Sequence, residues 1–317
     1  MSIQAAVACH TLPGETGDTR VAVLIGLAFH AAVVAGSGGA LAVLNDEREA
    51  CRISLDNSVF VRNVAAVTGG AVHTADPTDL VLLGVRFEGN TAGVGGGAIS
   101  VEKTESMVII AHCHLLANTA ESGDGGAIVA GDLTMVTATS AVINTLAIQE
   151  TMIESNQSPL GYGGGLAVDS AVFNLTQCRV EENRAINGGG IFLKDSWGVI
   201  SENTFAENRA RWHGGGMNAY NTTLRLAGSN FTGNGADYGG AAVLYYYCHL
   251  DLARGFFSSN SATTGGAFYL DPTTSLAVAT SVFAWNTAST DGGAVFCRGS
   301  SVRSTSTNFS HNAAGSS

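Results

Sequence analysis

Three stretches of this sequence hold residue types that could do chemistry. "NRARWHGGG", residues 208–216, places Arg209, Arg211, Trp212 and His213 close together, a set able to hold an anion, stack on a sugar ring or move a proton. In "HCH", His112, Cys113 and His114 supply three metal-ligating groups in a row. Successive side chains of a strand point to opposite faces, so the histidines would face away from the cysteine, and no metal is expected there. Carboxylates for calcium binding or acid–base cleavage would have to cluster. Asp124, Asp237 and Asp291 instead stand apart, each near a glycine pair, and the chain has no Asp-Asp, Asp-x-Asp or Gly-His-Gly. The sequence therefore names no catalytic residue, no metal and no cofactor. The cluster at Arg209 to His213 reads as a solvated loop whose aromatic ring covers an edge.

The elements that would have to position such groups are far more regular than the groups themselves. Phe-x-x-Asn and its apolar variants end at Asn63, Asn90, Asn118, Asn156, Asn183, Asn208, Asn234, Asn260, Asn286 and Asn312, at intervals of 27, 28, 38, 27, 25, 26, 26, 26 and 26 residues. One insertion of about eleven residues, around Thr137 to Leu146, accounts for the long interval. A glycine pair followed by a small residue keeps the same beat from Ala40 to Ala294. The next position is apolar in every copy, from Leu41 to Val295, and the one two further on nearly always is, while the position between them varies from His73 to Phe296. That is a strand of period two. A second strand, facing the same interior through the Phe position, ends at each asparagine.

A unit of about 26 residues with two or three short strands cannot bury its own apolar side, so it must stack on its neighbours. Stacking in register gives an all-β parallel β-helix over residues 21–317, with about ten coils at ~4.8 Å each. Residues 1–20 remain an unassigned lead. Phe then stacks on Phe inside the rod, and Asn on Asn as a structural ladder at a corner tolerant of left-handed backbone. The glycine pair makes another corner, where positive φ and close approach exclude a Cβ. The apolar run from Arg20 to Val43 could suggest a signal or a short membrane segment. Phe29 precedes Phe60 by 31 residues and Ala40 precedes Ala71 by the same number, so it reads as a degenerate first coil. Six cysteines are even in number. Cys113 and Cys178 nevertheless fall two coils apart, and Cys51 and Cys248 seven coils apart, too far for disulfides, so free thiols are expected.

The alternation of "GGAI" at 96–99 and 125–128 with "FEGN", "FAEN", "FTGN", "FSSN", "FAWN" and "FSHN" resembles the paired motifs of the chlamydial polymorphic membrane proteins. It is similar also to the wider right-handed β-helix group related to pectate lyases. The similarity runs from residue 29 to 317. It implies a right-handed, single-stranded parallel β-helix and a secreted, surface-displayed passenger acting in adhesion, at the outer membrane if bacterial. No alternating apolar strands for a membrane-embedded barrel are present, and the chain stops inside a repeat. Continuation of the β-helix at one or both ends is expected, with any membrane attachment through segments outside this chain.

Partners follow from charge and from the outward columns. A net charge of -11, with only 15 Lys and Arg among 317 residues, disfavours nucleic acid and anionic membrane surfaces. The outward positions just after the glycine corner read Phe192, Asn218, Val243, Tyr269 and Phe296 in consecutive coils, flanked by Tyr220 and Tyr245. Such a stripe is unusual on a soluble surface and is the candidate binding face, suited to protein or glycan ligands. The expected function is a non-enzymatic surface or secreted scaffold or adhesin; the alternative is a carbohydrate-active β-helix enzyme whose catalytic groups are too dispersed to recognise.

Overall fold

A computed structural model describes residues 5–8, 20–44, 51–75, 78–102, 107–131 and 145–315. The coils are right-handed, and each contributes four strands rather than two or three. These stack into four parallel sheets of eleven strands. Within one coil, Leu166–Asp169 follows the glycine corner (sheet A), Val172–Thr176 comes next (sheet B), Arg179–Glu181 carries the Phe position (sheet C), and Arg184–Asn187 follows the asparagine (sheet D). Ten steps of ~4.8 Å make a rod of about 48 Å. The apolar run at Arg20 is indeed a first coil: Arg20–Ile25 pairs in register with Cys51–Asp56, and Phe29 stacks on Phe60 at 5.0 Å. The lead adds Ala5–Ala8 to sheet A, paired with Leu41–Leu44. No helix among the described residues is long and apolar enough to cross a membrane. The insertion around Thr137 to Leu146 falls largely outside the described residues, between sheets A and B.

Period two explains the core. Ile191 and Leu193 of sheet A, Leu224 and Leu226 of sheet B, and Phe205 and Phe231 of sheet C all point inward and are buried. Stacked Phe rings are 4.3 Å apart for Phe205 and Phe231 and 4.7 Å for Phe257 and Phe283, nearly coplanar in both pairs. Burial stabilises each such ring by roughly 1.5 to 3 kcal/mol.

The asparagines form an unbroken ladder. Asn234 donates its backbone N–H and its Nδ2 to Oδ1 of Asn260, each at 3.0 Å, and Nδ2 also to the Phe205 carbonyl at 2.9 Å. Asn208 donates to Asn234 in the same way. The left-handed residue is not the asparagine itself but the one before it, at Arg62, Gly89, Ala117, Ser155, Glu182, Glu207, Gly233, Ser259, Trp285 and His311. That turn points the asparagine inward, where its amide replaces the water the corner backbone would otherwise need. At the glycine corner the division is sharper. Gly96 has φ +63°, whereas a Cβ on Gly97 would be driven into the Gly126 carbonyl of the next coil.

A further corner, between sheets B and C, repeats the rule with other residues and explains Cys113 and Cys178. His112, Gln177, Glu202 and Gly228 are left-handed, and the residues after them, Cys113, Cys178, Asn203 and Ser229, turn inward. Ser229 Oγ accepts from Asn203 N at 3.1 Å and donates to the Ala227 carbonyl at 3.2 Å. Cys113 Sγ does the same between Val85 N, 3.4 Å, and the Ala111 carbonyl, 3.2 Å. Cys113 therefore sits at a corner and not within a strand flanked by histidines. Its neighbours turn outward to separate carboxylates, His112 to Glu150 and His114 to Glu154. Cys113, Cys178 and Cys248 are free and buried, and Cys297 is free and exposed.

Candidate functional site

Register confirms the outward column: Phe192, Asn218, Val243, Tyr269 and Phe296 are paired partners in successive strands of sheet A. Exposure does not follow. Val243 is fully buried, Asn218 is 4% exposed and Tyr269 5%, while Phe192, Phe296, Tyr220 and Tyr245 are half-buried. The face expected to be open is the floor of a groove. The reason lies in sheet D, whose strands lengthen from Gln157–Tyr162 onward and run up to the glycine corner. They bring Tyr162, Asn187, His213, Tyr238 and Thr264 into one paired column. Each of these residues directly precedes a glycine with positive φ, so its side chain overhangs sheet A. Tyr238 packs edge-on against Tyr269 at 5.2 Å and closes the groove there.

Between Tyr162 and Tyr246 the groove stays open, with a volume of about 380 Å³. Its second wall is the column Lys194, Tyr220 and Tyr245. Tyr162 lies on Phe192 at 4.9 Å and Tyr220 on Tyr246 at 4.8 Å, so a pair of rings stands at each end. His213, from the cluster read as a solvated loop, points into the groove instead; Arg211 and Trp212 stay outside, with the guanidinium 5.6 Å from the ring centre. His213 Nδ1 lies 2.9 Å from Asn187 Oδ1, and Tyr245 OH lies 3.2 Å from His213 Nε2. A neutral ring with its proton on Nδ1 satisfies both contacts. Burial lowers the His213 pKa against the opposing pull of Asp237, and burial pushes the Tyr245 hydroxyl up to about 12.

Asn218 stands out on the groove floor. It is almost wholly buried, yet its side-chain amide makes no hydrogen bond within the described protein and opens only into the groove. Toward the N-terminal end the groove runs into a second cavity of about 240 Å³ that shares Tyr162, Phe192 and Lys194 and adds Asp124 and Asp169. Asp124 Oδ1 accepts from Tyr162 N at 2.8 Å, and Lys194 Nζ is 2.7 Å from Asp169. Burial raises the Asp124 pKa, and the hydrogen bond that Lys194 donates to Asp169 raises the Lys194 pKa. The aspartates that looked dispersed are thus partly gathered: Asp124 joins Asp169, while Asp237 and Asp291 do not line this site. A larger groove of about 540 Å³ crosses the outer face of sheet B over Ala227, Ala253 and Ala279, with Arg225, Asp251 and Arg303 along it. Its buried members, Leu226, Leu252 and Val278, are apolar, and no aromatic side chain lines it. Among the described residues no three His, Cys, Asp or Glu side chains are grouped to hold a metal ion.

Sequence reasoning missed the overhanging column because its members share no residue type. The available signal was positional: each directly precedes the glycine pair. Against known proteins, residues 84–102, which contain Phe87, Asn90 and the Gly96 to Ile99 corner, match the Chlamydia polymorphic membrane protein repeat. No curated protein matches the chain. Four stacked parallel sheets and the asparagine ladder make this chain a parallel β-helix of repeated coils, one stretch of which is similar to the Chlamydia polymorphic membrane protein repeat.

Proposed function

We propose that the protein is a surface-associated β-helical scaffold that captures ligands, without turning them over, in the aromatic groove of sheet A. The observation that carries this reading is the pairing of an open, ring-lined cavity with Asn218, a largely buried residue on its floor whose amide bonds no other side chain and faces the groove. Small-ligand sites are mostly apolar with a few convergent polar groups and begin at about 300 Å³, and this groove has both properties. The repeat match supports display at a cell surface or outer membrane, where a rod of stacked coils would serve in adhesion to protein or glycan partners. The test is binding of the labelled full chain to cultured cells, compared with a Tyr220→Ser/Tyr246→Ser variant whose rings lie at the rim. Loss of binding with an unchanged melting temperature supports the groove; unchanged binding places adhesion elsewhere on the rod. The carbohydrate-active alternative draws on one observation, the raised pKa of Asp124 beside Asp169. Release of reducing ends or unsaturated products from a polysaccharide panel, abolished by Asp124→Asn, would favour that alternative.

A further inference from the structure

We infer that the groove takes a linear neutral or N-acetylated oligosaccharide lying along the axis of the rod, and that it rejects polyuronides. This rests on the capture reading above and adds the class of ligand. Length and direction come from the register: the overhanging residues from Asp124 through Tyr162 and Asn187 to His213 occupy four successive coils, and Tyr238 closes the trench in the next. Three steps of ~4.8 Å make an open trench of about 14 Å, and each step is close to the length of one pyranose unit in an extended chain.

Ring chemistry points the same way. Sugars present flat C–H faces that lie on aromatic rings, and hydroxyls that need short, directional partners in the plane between them. The trench alternates these features. The Tyr162–Phe192 and Tyr220–Tyr246 pairs supply faces, and Asn218 between them supplies both a donor and an acceptor with no partner inside the protein. A purely apolar ligand would leave that amide unsatisfied, which costs more than the missing bond would have contributed. Charge then separates the sugar classes. The charged residues lining the two joined cavities are Asp124, Asp169 and Lys194, and the one ammonium is already paired with Asp169. A chain with a carboxylate on each unit would meet two fixed carboxylates and no free cation, whereas neutral hydroxyls can donate to both.

The experiment is isothermal titration of the full chain with chitotetraose, cellotetraose, mannotetraose and tetragalacturonate. At least one neutral tetraose should bind, its disaccharide should bind about tenfold more weakly or worse, and tetragalacturonate should not compete. Asn218→Ala should weaken the tetraose by about tenfold, and Tyr220→Ser/Tyr246→Ser should weaken it further, covering the case in which the floor variant fails to fold. Tighter binding of tetragalacturonate, equal affinity for disaccharide and tetraose, or unchanged binding in the folded double variant would overturn the inference. If no neutral tetraose binds while the double variant still loses cell binding, the saccharide inference falls and the capture groove stands with a protein ligand. If cell binding is unaffected too, both fall.

Discussion

Asn234 shows how much one side chain holds at a corner. Its amide serves Asn208 N, Asn208 Nδ2, Asn260 Oδ1 and the Phe205 carbonyl, all buried. Asn234→Ala strands several of these at once, and with about 1 to 3 kcal/mol for each unsatisfied buried group, a loss of about 3 kcal/mol is expected in urea melts. Glu207→Gln, on an exposed ion pair with Arg209, should change stability by less than about 0.5 kcal/mol and serves as the control. The left-handed residue before each asparagine predicts the opposite sign. Ser259, exposed with φ +56°, should gain about 1 kcal/mol on Ser259→Gly, as the natural glycines at positions 89 and 233 suggest. A melt showing no gain would mean that the strain is relieved elsewhere. The thiols behave as corner groups of the same kind: burial pushes Cys113, Cys178 and Cys248 up to about 11. In the native protein a maleimide should label exposed Cys297 and leave these three untouched. Rapid labelling of Cys178 would contradict its place in the corner column.

At the level of strands and columns, legibility depended on whether one residue type repeats. Coil length, the Phe column, the asparagine ladder and the glycine corner could be read because each is set by a single residue type at a fixed phase. Sheet B was harder to separate from sheet A, since Leu224 and Leu226 look like any apolar pair and only a left-handed Asn221 marks the break between them. The groove could not be read at all, because Tyr269 is covered by Tyr238, which arrives from sheet D over the glycine corner. Phe192, Tyr269 and Phe296 changed together to serine should therefore not be innocuous: Tyr269 is packed under Tyr238, and the loss should appear in the melt. The groove also makes the protein acid-sensitive. Burial lowers the folded pKa of His213, so the unfolded chain binds its proton first, and stability from this group falls as pH drops below about 6.5. Asp124, raised by burial, works the other way, favouring the folded state below the usual carboxylate range and costing stability as pH rises from about 3.8. The melting temperature of His213→Gln should depend less steeply on pH between about 5 and 7 than that of wild type, with His73, also lowered by burial, accounting for part of what remains; an unchanged dependence would assign the titration to His73 alone.

The whole molecule is a stack of coils, and every asparagine of the ladder up to Asn286 ties three of them together, donating to the next asparagine on its C-terminal side and to a carbonyl of the preceding coil. Under load along its axis, a rod of stacked coils yields in series. Coils peeled from an end by optical tweezers should leave one at a time, each freeing about 90 Å of chain for a repeat of ~26 residues. The interval of 38 residues between Asn118 and Asn156 breaks that regularity. It should appear as a single extension of about 130 Å among the shorter ones. Its place in the order of events would tell which end of the rod gives way first under load.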